Sequence, residues 1–225
     1  MSAANSQLAV WSGVGRADRL DQQVDMRELT MPPELKELLQ KYLQSARDAV
    51  VWKLEGLSAY DARRPLVPTG TNLLGLVKHL AGVEFGYFGE VFDRPVADLP
   101  DWMDAMDDEP NVDLYASESE TVASIVALYR RAWAHSDATI AELELDALGA
   151  VPWWPPDRTA VSLQQILVHV IAETHRHAGH ADLVRELIDG QAGIRPDNSN
   201  LPDVDADWWP AYRAQLEKLA REATG

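Results

Sequence analysis

Four long stretches of this chain repeat apolar residues at spacings of three and four, and segments rich in proline or glycine separate them. That spacing puts the apolar side chains on one face of a helix, so each stretch predicts an amphipathic helix. No stretch has a convincing strand pattern, and the chain contains no internal repeat. The sequence therefore predicts an all-α fold, and four such helices joined by polar connections favour a helix bundle.

Helix boundaries follow from proline, glycine and capping signals. Ser117 with Glu120, and Ser162 with Gln165, have the spacing of a capping box, in which each side chain satisfies a free backbone N–H. The predicted long helices span about 32–56, 71–92, 117–145 and 162–189, and a short C-terminal helix spans about 207–223.

The remaining segments set the domain organisation. Residues 1–30 show no periodicity and are expected to form an N-terminal extension, followed by one helical domain over 31–225. Residues 93–116 contain three prolines and six acidic residues from Asp101 to Asp113, which predicts a long acidic loop. Loops of this length in compact domains are often functional.

Charge and cysteine content narrow the function. The formal net charge of -16 opposes binding to nucleic acid or to an anionic membrane, and no apolar run is long enough to span a bilayer. No secretory signal is visible at the N-terminus, and a cytoplasmic location is expected. Because the chain has no cysteine, a metal would have to be held by histidine and carboxylate side chains.

The segment HVIAETHRHAGH on the fourth predicted helix concentrates titratable groups. Helical geometry places His169, Glu173, His177 and His180 on one face, whereas His175 points away. Two side chains four residues apart can reach one cation. A carboxylate combined with imidazoles suits zinc, nickel, iron or manganese better than calcium, and zinc is the first choice. Apolar neighbours predict that part of this face is buried.

His79 is the candidate for a third ligand, because it shares a face with Leu76 and Val83 on the second predicted helix. The alternative for a single histidine on an apolar face is an ordinary core residue satisfied by hydrogen bonds. Three protein ligands would leave a coordination position for water or substrate, as in catalytic metal sites.

Two of these segments, LLGLVKHLAGVE and ETHRHAGHADLVRELIDG, resemble the DinB-like superfamily, and the branch found in bacteria that make mycothiol in particular. The resemblance covers roughly residues 33–190. It implies a four-helix bundle of DinB type with a divalent metal near one end. The histidine of helix two matches His79, and the pair on the last long helix matches Glu173 and His177. Some members have two histidines in that pair, and mycothiol-dependent maleylpyruvate isomerase has glutamate and histidine.

The resemblance also implies chemistry. Family activities include isomerisation and S-transfer with a low-molecular-weight thiol such as mycothiol or bacillithiol as cosubstrate. We therefore expect a metal-dependent transferase or isomerase acting on a small molecule, with His180 as the catalytic side chain. His180 or His169 would orient a ligand or carry a proton, and it stays open whether His180 completes or replaces part of the ligand set. Trp153 and Trp154 either wall the substrate pocket or simply pack in the core.

Two other functions stay open at this stage. The bundle could be a metal-binding or interaction protein without turnover, or the metal could activate water in a hydrolase. Neither a nucleophile motif nor a phosphate-binding glycine loop is present, which argues against nucleotide chemistry. A homodimer is compatible with each of these functions.

Overall fold

The computed structural model describes residues 34–205 and 207–223. Apart from Leu35, the first residue of the first helix, all of the helices and strands lie in one compact unit, Lys36–Gly225. The predicted extension 1–30 lies outside the described residues. In chain order the elements are α1 (Leu35–Trp52), α2 (Leu73–Phe88), a 3-10 turn (Glu90–Phe92), α3 (Asp101–Asp104), α4 (Val122–Glu142), β1 (Leu148–Ala150), β2 (Ala160–Ser162), α5 (Leu163–Asp189) and α6 (Trp208–Glu222).

Helix α2 is the centre of the bundle and packs against both α4 and α5. Thirteen of its sixteen residues are buried, whereas α1, α4 and α5 bury one face each. Residues of all four helices share the apolar core, including Val50 of α1, Leu80 of α2, Tyr129 of α4 and Val184 of α5. The predicted all-α helix bundle is confirmed.

Capping residues explain where α2 and α5 begin and where α5 ends. Asn72 precedes α2, and its side-chain oxygen accepts a hydrogen bond of 2.8 Å from the backbone N–H of Gly75. Ser162 caps α5 in the same way, accepting the backbone N–H of Gln165 at 3.2 Å, so the predicted N-cap is confirmed. The reciprocal bond of a capping box, from the Gln165 side chain, is not among the hydrogen bonds of the described residues. Helix α5 ends where Gly190 adopts a φ of 80°, a left-handed conformation that favours glycine.

Helix α4 begins later than the sequence predicted. Its capping box is formed by Thr121 and Ser124, not by Ser117 and Glu120. Glu120 does accept the backbone N–H of Ser117 at 2.7 Å, but within the turn that precedes the helix. The same carboxylate lies 3.1 Å from Lys78 Nζ of α2. This tertiary ion pair anchors Glu120 outside the helix.

Three other local expectations need correction. Helix α2 ends at Phe88 and a 3-10 turn continues to Phe92, so the predicted second helix is shorter. The predicted loop 93–116 contains the short helix α3. No strand was predicted, yet β1 pairs antiparallel with β2, with Gly149 opposite Val161. These strands are three residues long, too short for alternation to be visible in the sequence.

A buried ion pair fixes α1 against α2. Arg47 Nη2 lies 2.6 Å from Glu84 Oε2, and both side chains are at most 1% exposed. A second carboxylate, Asp137 of α4, lies 2.9 Å from Arg47 Nη1. The guanidinium therefore links three helices of the bundle.

None of the helices in residues 34–205 and 207–223 combines the length and the apolar composition that crossing a membrane requires.

Candidate metal centre and adjoining cavity

His79 of α2 converges with Glu173 and His177 of α5. One potential ligand atom from each lies within 4.8 Å of the other two, and all three side chains are half-buried. Glu173 Oε1 lies 2.9 Å from His177 Nε2 and 3.6 Å from His79 Nε2. The structure thus brings together the three side chains that the sequence singled out, two of them one turn apart on the same helix.

Asp113 holds the far side of the His79 ring. Its Oδ2 accepts a hydrogen bond of 2.6 Å from His79 Nδ1. This bond is the main reason why the pKa of Asp113 lies below its usual value. When the ring is neutral, a proton on Nδ1 leaves the lone pair of His79 on Nε2, the nitrogen nearer to Glu173.

The segment that carries Asp113 is docked on the start of α2. The Leu114 carbonyl accepts a hydrogen bond of 3.1 Å from the Asn72 side chain. It also lies so close to Gly75 that an added Cβ would be 1.9 Å away. Any side chain at position 75 would therefore push this segment, and Asp113 with it, away from His79.

Electrostatics favour the ligand forms of the two residues on α5. Burial would raise the pKa of Glu173, but the neighbouring His177 and His79 outweigh it and the pKa lies below its usual value. Burial, helped by repulsion from His79, lowers the pKa of His177 although Glu173 opposes the shift. An ionised carboxylate and a neutral imidazole are the forms that bind a cation.

The other histidines of α5 occupy different places. His180 lies behind His177, with 3.4 Å between their Nδ1 atoms, and outside the group of converging ligand atoms. His175 is exposed, as predicted from its direction. His169 lies one turn before Glu173, and its ring packs 4.8 Å from that of Tyr87.

A cavity of about 820 Å³ adjoins the three converging side chains. His79, Val83 and Gly86 on one face of α2 form one wall, and Glu90 of the following 3-10 turn extends it. The residues that line the cavity are His79, Gly82, Val83, Gly86, Tyr87, Glu90, Met103, Met106, Asp107, Asp113, Pro152, Trp153, His169 and Glu173. A volume of this size accommodates a drug-sized molecule.

The two tryptophans between β1 and β2 have different roles. Trp153 lines the cavity and covers Gly86, where an added Cβ would lie 3.2 Å from the indole ring. Trp154 packs against the apolar core and the His169 ring, with centroids 5.1 Å apart. The sequence left open whether these tryptophans line a pocket or pack in the core. Trp153 lines the cavity, and Trp154 packs against the core.

Sequence analysis missed Asp113 and Tyr87. Asp113 was noted only as one of six acidic residues in a long loop, and nothing in the sequence distinguishes it from the other five. Tyr87 lies eight residues after His79, about 12 Å along the helix axis, beyond the spacing used to find ligands. Gly86, the residue before Tyr87, lies on the face of α2 that lines the cavity. Extending the search for site residues along that face would therefore have led to the vicinity of Tyr87.

One of the comparisons with known proteins gives a family match. Residues 38–190 match the family described as mycothiol-S-transferase. A crystal structure of a conserved protein from Enterococcus faecalis covers 71% of this chain and 99% of its own, with 18% identity and a TM-score of 0.49. None of the curated proteins compared with this chain matches it. The family match spans more than half of the chain, so the protein belongs to the mycothiol-S-transferase family of DinB-like proteins.

Proposed function

We propose that this protein is a metal-dependent transferase that uses a low-molecular-weight thiol such as mycothiol. The observation that carries the proposal is the convergence of His79, Glu173 and His177, with ligand atoms within 4.8 Å, beside a cavity of about 820 Å³. The family to which the chain belongs supports the thiol. The small-molecule substrate would occupy the cavity.

The donor set fits a divalent metal. Two imidazole nitrogens and one carboxylate oxygen suit zinc first, and also nickel, iron or manganese. The carboxylate of Asp113 on the second nitrogen of His79 is the arrangement that orients histidine ligands in metal sites. Three protein ligands leave room for a thiol, whose pKa a bound cation would lower so that it can act as a nucleophile.

The protein's own residues would position the reactants. Asp113 fixes the tautomer of His79, and His180 contacts the far nitrogen of His177. His180, predicted from sequence as catalytic, is therefore proposed as a positioning residue. The chain has no cysteine, so the sulfur nucleophile would come entirely from the cosubstrate. Trp153 would shield one wall of the cavity from water.

Metal content of protein purified without an affinity tag tests the first half of this proposal. The parent should hold about one equivalent of a divalent metal, and His79→Ala and His177→Ala should lose it. His175→Ala is the matched control, because His175 lies on the same helix but is exposed. Full metal occupancy in either ligand variant would overturn the assigned ligand set.

Thiol-dependent loss of an electrophile such as monobromobimane tests the second half. With mycothiol, the parent and His175→Ala should exceed the rate without protein, and the two ligand variants should fall to that rate. Stoichiometric metal without any effect of thiol would overturn the transferase and favour the hydrolase or the binding protein.

A further inference from the structure

Tyr87 places a hydroxyl at the aromatic end of the cavity. The residue is only 9% exposed, yet it lines the cavity. Its Oη accepts hydrogen bonds from two indole N–H groups, at 3.1 Å from Trp154 and 3.4 Å from Trp153. Both indoles also meet the tyrosine ring edge to face.

These two contacts leave the hydroxyl hydrogen free. An indole nitrogen only donates, so the tyrosine oxygen is the acceptor in both hydrogen bonds. Among the hydrogen bonds of residues 34–205 and 207–223, none has Tyr87 as the donor. Tyr87 lines the cavity, so a molecule bound there can accept this hydrogen.

The charge of the cavity wall restricts the acceptor. Four carboxylates line it, Glu90, Asp107, Asp113 and Glu173, and no lysine or arginine of the described residues does. In the metal-free protein, this acidic wall opposes a carboxylate or phosphate in the cavity. The tyrosine donor and the indole of Trp153 instead suit an uncharged aromatic molecule that carries an oxygen acceptor.

Tyr87 lies near the candidate metal centre, and His169 lies between them along the cavity. Its ring packs 4.8 Å from that of His169, which precedes Glu173 by one helical turn, a rise of about 6 Å. We infer that Tyr87 donates a hydrogen bond to an uncharged oxygen, such as a carbonyl, of an aromatic electrophile, and so determines substrate specificity. The role of electrophile rests on the proposed function, but binding to Tyr87 itself requires neither metal nor thiol.

Ligand-observed NMR with three probes tests this inference on metal-free protein. Acetophenone has the oxygen acceptor, chlorobenzene lacks it, and benzoate replaces it with a charge. In Tyr87→Phe the Kd of acetophenone should rise about 3- to 10-fold, the range for one hydrogen bond. The Kd of chlorobenzene should change less than twofold, and benzoate should bind the parent more weakly than acetophenone does.

The matched control is Tyr60→Phe, because Tyr60 is 72% exposed and does not line the cavity. This variant should leave all three Kd values unchanged. Equal loss of acetophenone and chlorobenzene in Tyr87→Phe would show a packing role and overturn the inference. So would a loss of affinity for mycothiol with unchanged acetophenone binding. These titrations use metal-free protein. If the protein proves not to be a transferase, that alone would therefore produce neither of these two contradicting results.

Discussion

Asp113 Oδ2 accepts a hydrogen bond of 2.6 Å from His79 Nδ1, across 34 residues of sequence. The two side chains come from different segments, a loop and the middle of α2. Their contact leaves His79 Nε2 available on the side of the ring that faces Glu173, where His177 also converges. The orientation of one candidate ligand therefore depends on how a distant loop is docked.

Asp113→Asn should weaken divalent metal binding about 10- to 100-fold, the usual effect of losing a carboxylate behind a histidine ligand. Titration against a chromophoric chelator measures the affinity. Asp108→Asn is the control, since Asp108 is exposed in the same acidic segment. Equal affinities in the parent and Asp113→Asn would contradict an orienting role for this hydrogen bond.

Gly75→Ala should destabilise the fold by about 1–3 kcal/mol through overpacking, because the added Cβ would lie 1.9 Å from the Leu114 carbonyl oxygen. It should also weaken metal binding, since Asp113 moves with that segment. Chemical denaturation and the chelator titration measure the two effects.

Gly179→Ala is the control for Gly75→Ala, and the expected change in stability has the opposite sign. An added Cβ on Gly179 meets nothing within 4 Å, and alanine is favoured over glycine in a helix by about 1 kcal/mol. This variant should be more stable than the parent. A Gly75→Ala protein as stable as Gly179→Ala would mean that the loop moves away without cost.

Glu84→Gln should lower the free energy of unfolding by about 3 kcal/mol, because breaking a buried pair leaves the Arg47 charge poorly compensated. Both side chains are at most 1% exposed. Urea denaturation measures the loss. Glu217→Gln removes an exposed pair with Arg221, 2.8 Å long, and should cause no measurable change. Equal effects of the two variants would contradict a special role for burial.

Asp189 should make stability depend on pH in the acid range. Hydrogen bonds from Arg185 are the first cause that lowers its pKa below 3.8 in the folded protein. Stabilisation from this carboxylate is therefore present above pH 3.8 and is lost as the pH falls through the lower, folded-state pKa.

The comparison of the parent with Asp189→Asn measures that dependence. At pH 6 the variant should be less stable by about 1 kcal/mol, a modest value because the carboxylate is partly in water. The difference should shrink towards zero as the pH is lowered below 3.8. A difference that stays constant with pH would assign the effect to packing instead of charge.

Sequence reasoning succeeded where the signal is local. The face shared by Glu173 and His177 follows from a spacing of four residues, and the start of α5 at Ser162 follows from a cap three residues long. Placing His79 opposite them required only that its apolar neighbours be buried in a bundle. These features depend on helix geometry, which the order of residues encodes directly.

Features that depend on contacts between distant segments could not be predicted. Ser117 and Glu120 have the spacing of a capping box, but the box at α4 is formed by Thr121 and Ser124, and Glu120 pairs with Lys78 outside the helix. The choice of Asp113 among six acidic residues depends on how the loop docks at Gly75. Such tertiary contacts override local preference and leave no periodic trace.

Two glycines, which have no side chain, lie in the part of the cavity wall that α2 forms. Gly82 and Gly86 each lie under an indole ring, Trp102 and Trp153, at 3.2 Å from where a Cβ would be. Neither glycine is among the converging ligand residues. An alanine at either position would therefore narrow the cavity by one methyl group while His79, Glu173 and His177 stay in place. The width of the cavity and the geometry of the three converging side chains can therefore change independently of each other.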